Sequence, residues 1–259
     1  MAGNIKIVSV LHFGIEGDSM NSESPHGSLH RPTEDELKEI IQKHELWLTP
    51  IDERPDDQKE VPGAYRANLN GYDLTEMELV RTDLRRATIV GSDLTNANFR
   101  SADLSEAVVR ASTLDKASFD SATIREADFR DCTFVDTDLK KADLRASNFR
   151  ACDLHYANLD RTDLREACLR DTSLWRTSLF RADLRWADLR SANVDHAENW
   201  EKAYKIRLAN IHGVKNVPSG FLDWAEANGA VAVESDEEWD KFKQDGWERL
   251  WMKSRREFS

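Results

Sequence analysis

Hydrophobic residues recur through the middle of the chain with a period of five. Every fifth residue from Leu69 to Val194 is a medium or large apolar side chain, 26 in unbroken register: 17 Leu, five Phe, two Ile and two Val. Two positions before each of these, 24 of 26 residues are Ala, Ser, Thr or Cys, and only Tyr72 and Met77 are larger. The residue between is Asp or Asn in 16 of 26. A period of five fits neither the 3.6-residue turn of a helix nor the two-residue alternation of a strand. It fits a chain that turns a corner every five residues, with the core residue and its small neighbour both pointing inward. Four such sides close one square coil, so residues 20 apart stack at the strand spacing of ~4.8 Å. Twenty-six repeats then make about 6.5 coils, a rod roughly 31 Å long. The prediction is an all-β solenoid.

The same residues carry a resemblance. Ala-Asn-Leu at Ala67, Ala-Asp-Leu at Ala102, Ala142, Ala182 and Ala187, and Ala-Asp-Phe at Ala127 resemble the signature of the pentapeptide repeat family. The resemblance covers about half of the chain. It implies a right-handed quadrilateral β-helix filled by side chains. Inside such a tube Phe99 stacks over Phe119 and Phe129 over Phe149, with Phe134 in the same core. The resemblance implies less about function, because the family includes gyrase-protecting quinolone-resistance proteins, bacterial effectors and members without a known role.

An open stack needs its ends covered, which gives the flanks a task. Residues 1–32 read as a strand over 4–13 followed by a polar, flexible linker, in which Met20 is a second candidate start beside Met1. Residues 33–64 hold a capping helix and a further linker. Thr33 and Glu36 form a capping box, and Leu37, Ile40, Ile41, His44, Trp47 and Leu48 share one helix face. The solenoid is assigned to 65–198, ending where Asn199 replaces the apolar residue; Leu208 to Ile211 resembles one more repeat, two residues out of register. Residues 199–259 read as an α/β cap: a helix closed by Gly229, a short strand over 230–234, and a capping box at Ser235 and Glu238. Its aromatic residues, Trp239, Phe242, Trp247 and Trp251 with Leu250, suit a cap or a homodimer segment.

Composition narrows the chemistry. No apolar run approaches a membrane span of ~18 residues and no secretory leader is evident, so a cytoplasmic location is expected. Three cysteines give no CxxC and no even disulfide set: Cys132 and Cys152 occupy small inward slots one coil apart, and Cys168 an outward one. The His26 and His30 spacing has no further ligands, so no metal is expected. With carboxylates spread by the repeat and no nucleophile elbow or phosphate loop, neither catalytic residues nor cofactors are expected.

Charge and exposed aromatics mark the candidate partner surfaces. The chain has a net charge of −12, but residues 66–195 carry 20 Lys+Arg against 23 Asp+Glu. Arg110, Arg130, Arg150, Arg170 and Arg190, 20 apart, line one face of the rod. Arg85, Arg125, Arg145, Arg165 and Arg185 are expected on the opposite face, neutralised there by Asp143, Asp163 and Asp183. The first ladder has Asp128 and Asp188 but Asn148 and Cys168 elsewhere, and is less compensated. A second surface gathers His155, Trp175, Tyr156 and Arg176, with Phe180 one side further on, covered either by the C-terminal segment or by another protein; Trp186 needs a cover too. The reading is a non-enzymatic, rigid scaffold for an unidentified protein partner. The alternative is a DNA mimic that modulates DNA gyrase or another topoisomerase; direct nucleic-acid binding fits poorly with the net charge.

Overall fold

A computed structural model of the chain describes residues 29–50, 53, 65–203 and 205–245. The expected strand over 4–13, Met20, His26 and the aromatic residues from Trp247 onward lie outside the described residues. From Asn68 to Glu198 the chain forms parallel bridges between residues 20 apart, from Asn68 with Thr88 to Ser178 with Glu198. Each pairing is one residue wide, because five residues per side leave little extended backbone between corners. Three backbone hydrogen bonds join each pair of stacked sides, as in Leu74 N to Asp93 O, Glu76 N to Thr95 O and Asp93 N to Tyr72 O, at 2.7–3.0 Å. The 26 core residues and most of their small partners are fully buried. Phe99 stacks on Phe119 at 4.8 Å and Phe129 on Phe149 at 5.2 Å; Phe134 lies 5.3 Å from both of the latter pair.

Two local interactions explain the repeat. The Asp or Asn before the core residue turns its Oδ1 onto the N–H two residues on, as Asp93 does for Thr95 at 2.9 Å and Asp163 for Arg165 at 3.3 Å. The second residue after each core residue then takes a positive φ, between 50° and 69° at all 26 corners, and on most corners the next N–H closes a turn onto the core residue's carbonyl, as in Ala87 N to Leu84 O.

The flanks extend the stack at both ends. His30, assigned above to a linker, instead pairs with Tyr72 as one more rung, and Arg31 bonds Asp73 at 3.1 Å. Helix α1 (Glu34–Leu48) starts at the Thr33–Glu36 capping box and buries Leu37, Ile41 and His44 against the first coil, where Tyr72 and Met77 also lie. Trp47 stacks on His44 at 5.8 Å and remains 37% exposed.

The solenoid does not end at 198. A two-residue insertion around the short 3-10 turn Trp200–Lys202 is absorbed, and bridging resumes 22 residues apart: Asp183 with Lys205, Asp188 with Asn210 and Asn193 with Lys215. Ile206, Ala209 and Ile211 return to the buried column. Helix α2 (Phe221–Ala227) then brings Phe221 and Trp224 to within 5.5 and 5.4 Å of Trp200. Gly229, at φ 83°, turns the chain back over the last coil. The expected strand over 230–234 is a single rung, Val231 on Asn210. Helix α3, described over 236–245, follows Ser235, whose hydroxyl accepts the Glu238 N–H at 3.1 Å.

Candidate interaction surfaces

The two arginine ladders lie on adjoining sides, not opposite ones, because Arg125 and Arg130 are five residues, hence one side, apart. The Asx turn decides the local electrostatics. By holding the aspartate beside the residue two further on, it pairs Arg85 with Asp83 (2.7 Å), Arg145 with Asp143 (2.8 Å), Arg165 with Asp163 (2.6 Å) and Arg185 with Asp183 (2.6 Å). Arg125, whose own slot holds Thr123, reaches Asp143 at 2.6 Å. Burial works to raise the pKa of Asp143 and Asp183, but the arginine hydrogen bonds outweigh it and both stay below the ordinary carboxylate range. This side is neutralised along its length.

The first ladder is compensated by a route the repeat does not reveal. Asp128 accepts from Arg130 and from Arg110, and these bonds overcome burial to hold its pKa at about 2. Arg190 is clamped by Asp188 at 2.5 Å and is only 5% exposed, because the segment after Val231 folds back across this side. Asp236 of that segment bonds Arg170 at 2.5 Å and Arg190 at 2.8 Å, and Arg190 donates to the Glu234 carbonyl at 3.0 Å. Asn210 ties the segment down by exchanging hydrogen bonds with the Val233 backbone at 2.8 and 3.0 Å. Residues 231–245 are thus a strap on the end of the ladder.

The strap also settles what covers the aromatic residues. Phe242 lies 6.0 Å from Trp186 and stacks on Trp239 at 5.6 Å, so Trp186 is covered from within the chain. The cluster on the next side past the arginine ladder is not under the strap. There Tyr156 meets Trp175 edge to face at 4.7 Å, His155 and His196 approach Trp175 at 5.4 and 6.1 Å, and the Arg176 guanidinium lies 4.9 Å from the Trp175 ring. His155 is hydrogen-bonded to Asp153. Tyr156 remains 45% exposed. Phe180 is not part of this cluster: it sits on the following side under Arg181, 5.2 Å away. Sequence spacing missed His196, Glu234 and Asp236. His196 stands at a corner slot one coil below Arg176 and was legible by its spacing; the other two have no periodic signature.

Little here suits covalent chemistry. The gap among Leu144, Phe149, Leu154, Leu159, Leu164 and Leu169 is too narrow for water. A surface groove of about 650 Å³ runs beside His212, Val233, Glu234, Lys241 and Phe242. Burial pushes the Cys132 thiol up to about 12 and raises Cys152 and Cys168 as well, so none is activated. Among the described residues no group of three or more His, Cys, Asp and Glu is placed to hold a metal ion, and no helix is long and apolar enough to cross a membrane.

Comparison with known proteins adds the family. No curated protein matches this chain significantly. Among solved structures, similarity extends to HetL, a pentapeptide repeat protein involved in heterocyst differentiation regulation from the cyanobacterium Nostoc (27% identity, 57% of this chain and 80% of that one, TM-score 0.26). It extends also to full-length QnrB1, a plasmid-mediated fluoroquinolone resistance protein (14% identity, 68% and 97% covered, TM-score 0.40). The family model described as pentapeptide repeat region matches residues 89–159, and that described as pentapeptide repeats (8 copies) matches 65–100 and 157–195. Together they span 65–195, just over half of the chain and the stretch in which the five-residue period never slips, so the chain belongs to the pentapeptide repeat family.

Proposed function

We propose that the protein is a non-enzymatic, rigid interaction scaffold: a right-handed quadrilateral β-helix closed by helical segments at both ends, whose side presents an aromatic surface to another protein. The observation that carries this reading is the Tyr156–Trp175–Arg176 cluster, which no described segment covers, whereas the outward Trp186 is covered by Phe242. Aromatic and arginine side chains together are the residue types that anchor protein interfaces. The test is capture of partners from a cell extract by the wild-type chain and by Tyr156→Ala/Trp175→Ala. Loss of a specific partner in the variant supports the reading; identical capture by both sinks it.

A second reading, a DNA mimic acting on DNA gyrase or another topoisomerase, is favoured by a different observation. The rod is close to neutral as a whole, yet one side concentrates acid: Asp73, Asp93, Asp115, Asp153 and Asp195. Among the described residues, Asp93 and Asp115 have no ion-pair partner. A supercoiling titration with and without a quinolone decides it: inhibition or protection at modest excess establishes the mimic, and no effect at large excess removes it.

A further inference from the structure

The strap shows what the arginine side recognises, and the same side has an unfilled place one coil away from it. At the outward slots from Val108 to Arg190 this side carries five arginines against two aspartates. Consecutive arginines share a carboxylate where the repeat or the strap supplies one. Asp128 serves Arg110 and Arg130, and Asp236 serves Arg170 and Arg190. The two slots in between are neutral, Asn148 and Cys168. Arg150, flanked by them, is 53% exposed, and its ion-pair contact is a 3.5 Å approach to Asp171.

The corners repeat this pattern. The coils on either side of Arg150 are edged by Glu126 and Asp131, and by Glu166 and Asp171, whereas the Arg150 coil is edged by Ala146 and Ala151. A narrow gap in the acidic edging therefore opens onto the least compensated arginine of the ladder. We propose that this gap, formed by Arg150, Asn148, Ala146 and Ala151, docks a carboxylate side chain on an acidic segment of a partner protein, in line with the strap. The strap is the precedent for the occupant: five of the seven residues from Glu234 to Asp240 are acidic, and one of them bridges two rungs of this same ladder. A guanidinium fork takes a carboxylate in two parallel hydrogen bonds, which fits a single seated side chain. Duplex DNA, with a charge every ~1.7 Å along its axis, would meet the glutamates and aspartates that edge the neighbouring coils.

The surface lies on a different side from the Trp175 cluster, so the two readings fail independently. The probe is a fluorescently labelled oligoglutamate peptide of about ten residues, titrated with the full chain by anisotropy at low salt and again at about 0.3 M salt, where exposed charges are screened within ~6 Å. Wild type should bind at low salt and release at high salt. Asn148→Asp should weaken binding about tenfold, because it fills the place from within; Asp stands in the equivalent slot at Asp128 and Asp188, so the fold is retained. Trp175→Ala should bind like wild type, and Arg150→Gln should lose binding. Equal affinity of Asn148→Asp and wild type, or no binding by wild type at low salt, overturns the proposal. Stronger competition by a DNA duplex, with the same sensitivity to Asn148→Asp, overturns it in favour of nucleic acid.

Discussion

Every corner of the solenoid places a residue in the left-handed region, and at 24 of the 26 corners that residue is not glycine. An L-residue there brings its Cβ close to a carbonyl oxygen at a cost of about 1–2 kcal/mol, repaid by the rungs on either side. The cost rises for a branched Cβ, and none of the 26 corner residues is Val, Ile, Thr or Pro although Thr and Val are frequent at the neighbouring outward slots. Ala111, exposed at φ 50°, isolates the effect. Ala111→Val should lower stability by about 1–2 kcal/mol, whereas Ala111→Gly should change it by less than about 1 kcal/mol, relief of strain offsetting the added freedom of the unfolded chain. Urea denaturation midpoints at constant slope measure both; a valine variant as stable as wild type would show that the corners can relax. A second residue-scale consequence concerns pH. His44 is fully buried and its Nδ1 accepts the Ala67 N–H at 3.0 Å. Burial depresses its pKa below 6.5, with Asp83 and the Arg85 backbone opposing. The folded state therefore holds the neutral ring, and its contribution is complete above about pH 6.5 and is lost as pH falls through the folded pKa. Protection of the Ala67 amide from hydrogen exchange, corrected for intrinsic rates, should fall below that pH in wild type and become flat in His44→Gln.

At the scale of elements, the strap is the feature that changes the surface most. Asp236 is 67% exposed, so its two arginine contacts are worth about 0.2–1 kcal/mol, while the Val231 rung on Asn210, the Asn210–Val233 and Arg190–Glu234 hydrogen bonds and Phe242 on Trp186 carry the rest of the attachment. Asp236→Asn should leave the solenoid's unfolding midpoint within about 1 kcal/mol of wild type but raise exchange across 233–245 and shift tryptophan emission. An unchanged strap would mean that the other contacts hold it without the ion pairs. This element also marks the limit of what was legible. The rungs, the buried column, the aromatic stacks and the α1 capping box follow from local period, since each is selected at a fixed spacing. Asp236 meets Arg170 across 66 residues of chain, and no spacing rule reports a contact of that range. The two-residue insertion after Glu198 put the solenoid's boundary too early, because a register count restarts at an insertion, although Leu208 to Ile211 was legible as one more repeat two residues out of register. Lack of Val, Ile, Thr and Pro at the corners was legible too, but only a backbone with positive φ gives it meaning.

At the scale of the molecule, a stack whose coils touch only their neighbours depends on its two ends, because each terminal coil offers unpaired backbone groups and an apolar cross-section to any similar surface. The N-terminal end is closed by contacts from three residue types. His30 pairs with the backbone of Gly71 and Asp73, His44 takes the Ala67 N–H, and Leu37 and Ile41 join the buried column. Of these, the apolar pair shares one buried cluster with Leu69 and Leu74, so its burial favours a docked α1. Burying each such side chain stabilises by about 1.5–3 kcal/mol. Introducing a carboxylate at both positions adds the cost of an unpaired buried charge. Leu37→Asp/Ile41→Asp in the full chain should therefore undock α1 and leave the coils beyond Leu84 folded, since their rungs do not involve the helix. The uncovered first coil should then seek another edge, giving concentration-dependent self-association in sedimentation velocity with the circular dichroism of the solenoid largely kept. A variant that stays at the wild-type sedimentation state with α1 undocked would show that the first coil's own Tyr72 and Met77 suffice to guard the end, and a variant that unfolds throughout would show that the coils are coupled far more tightly than nearest-neighbour stacking allows.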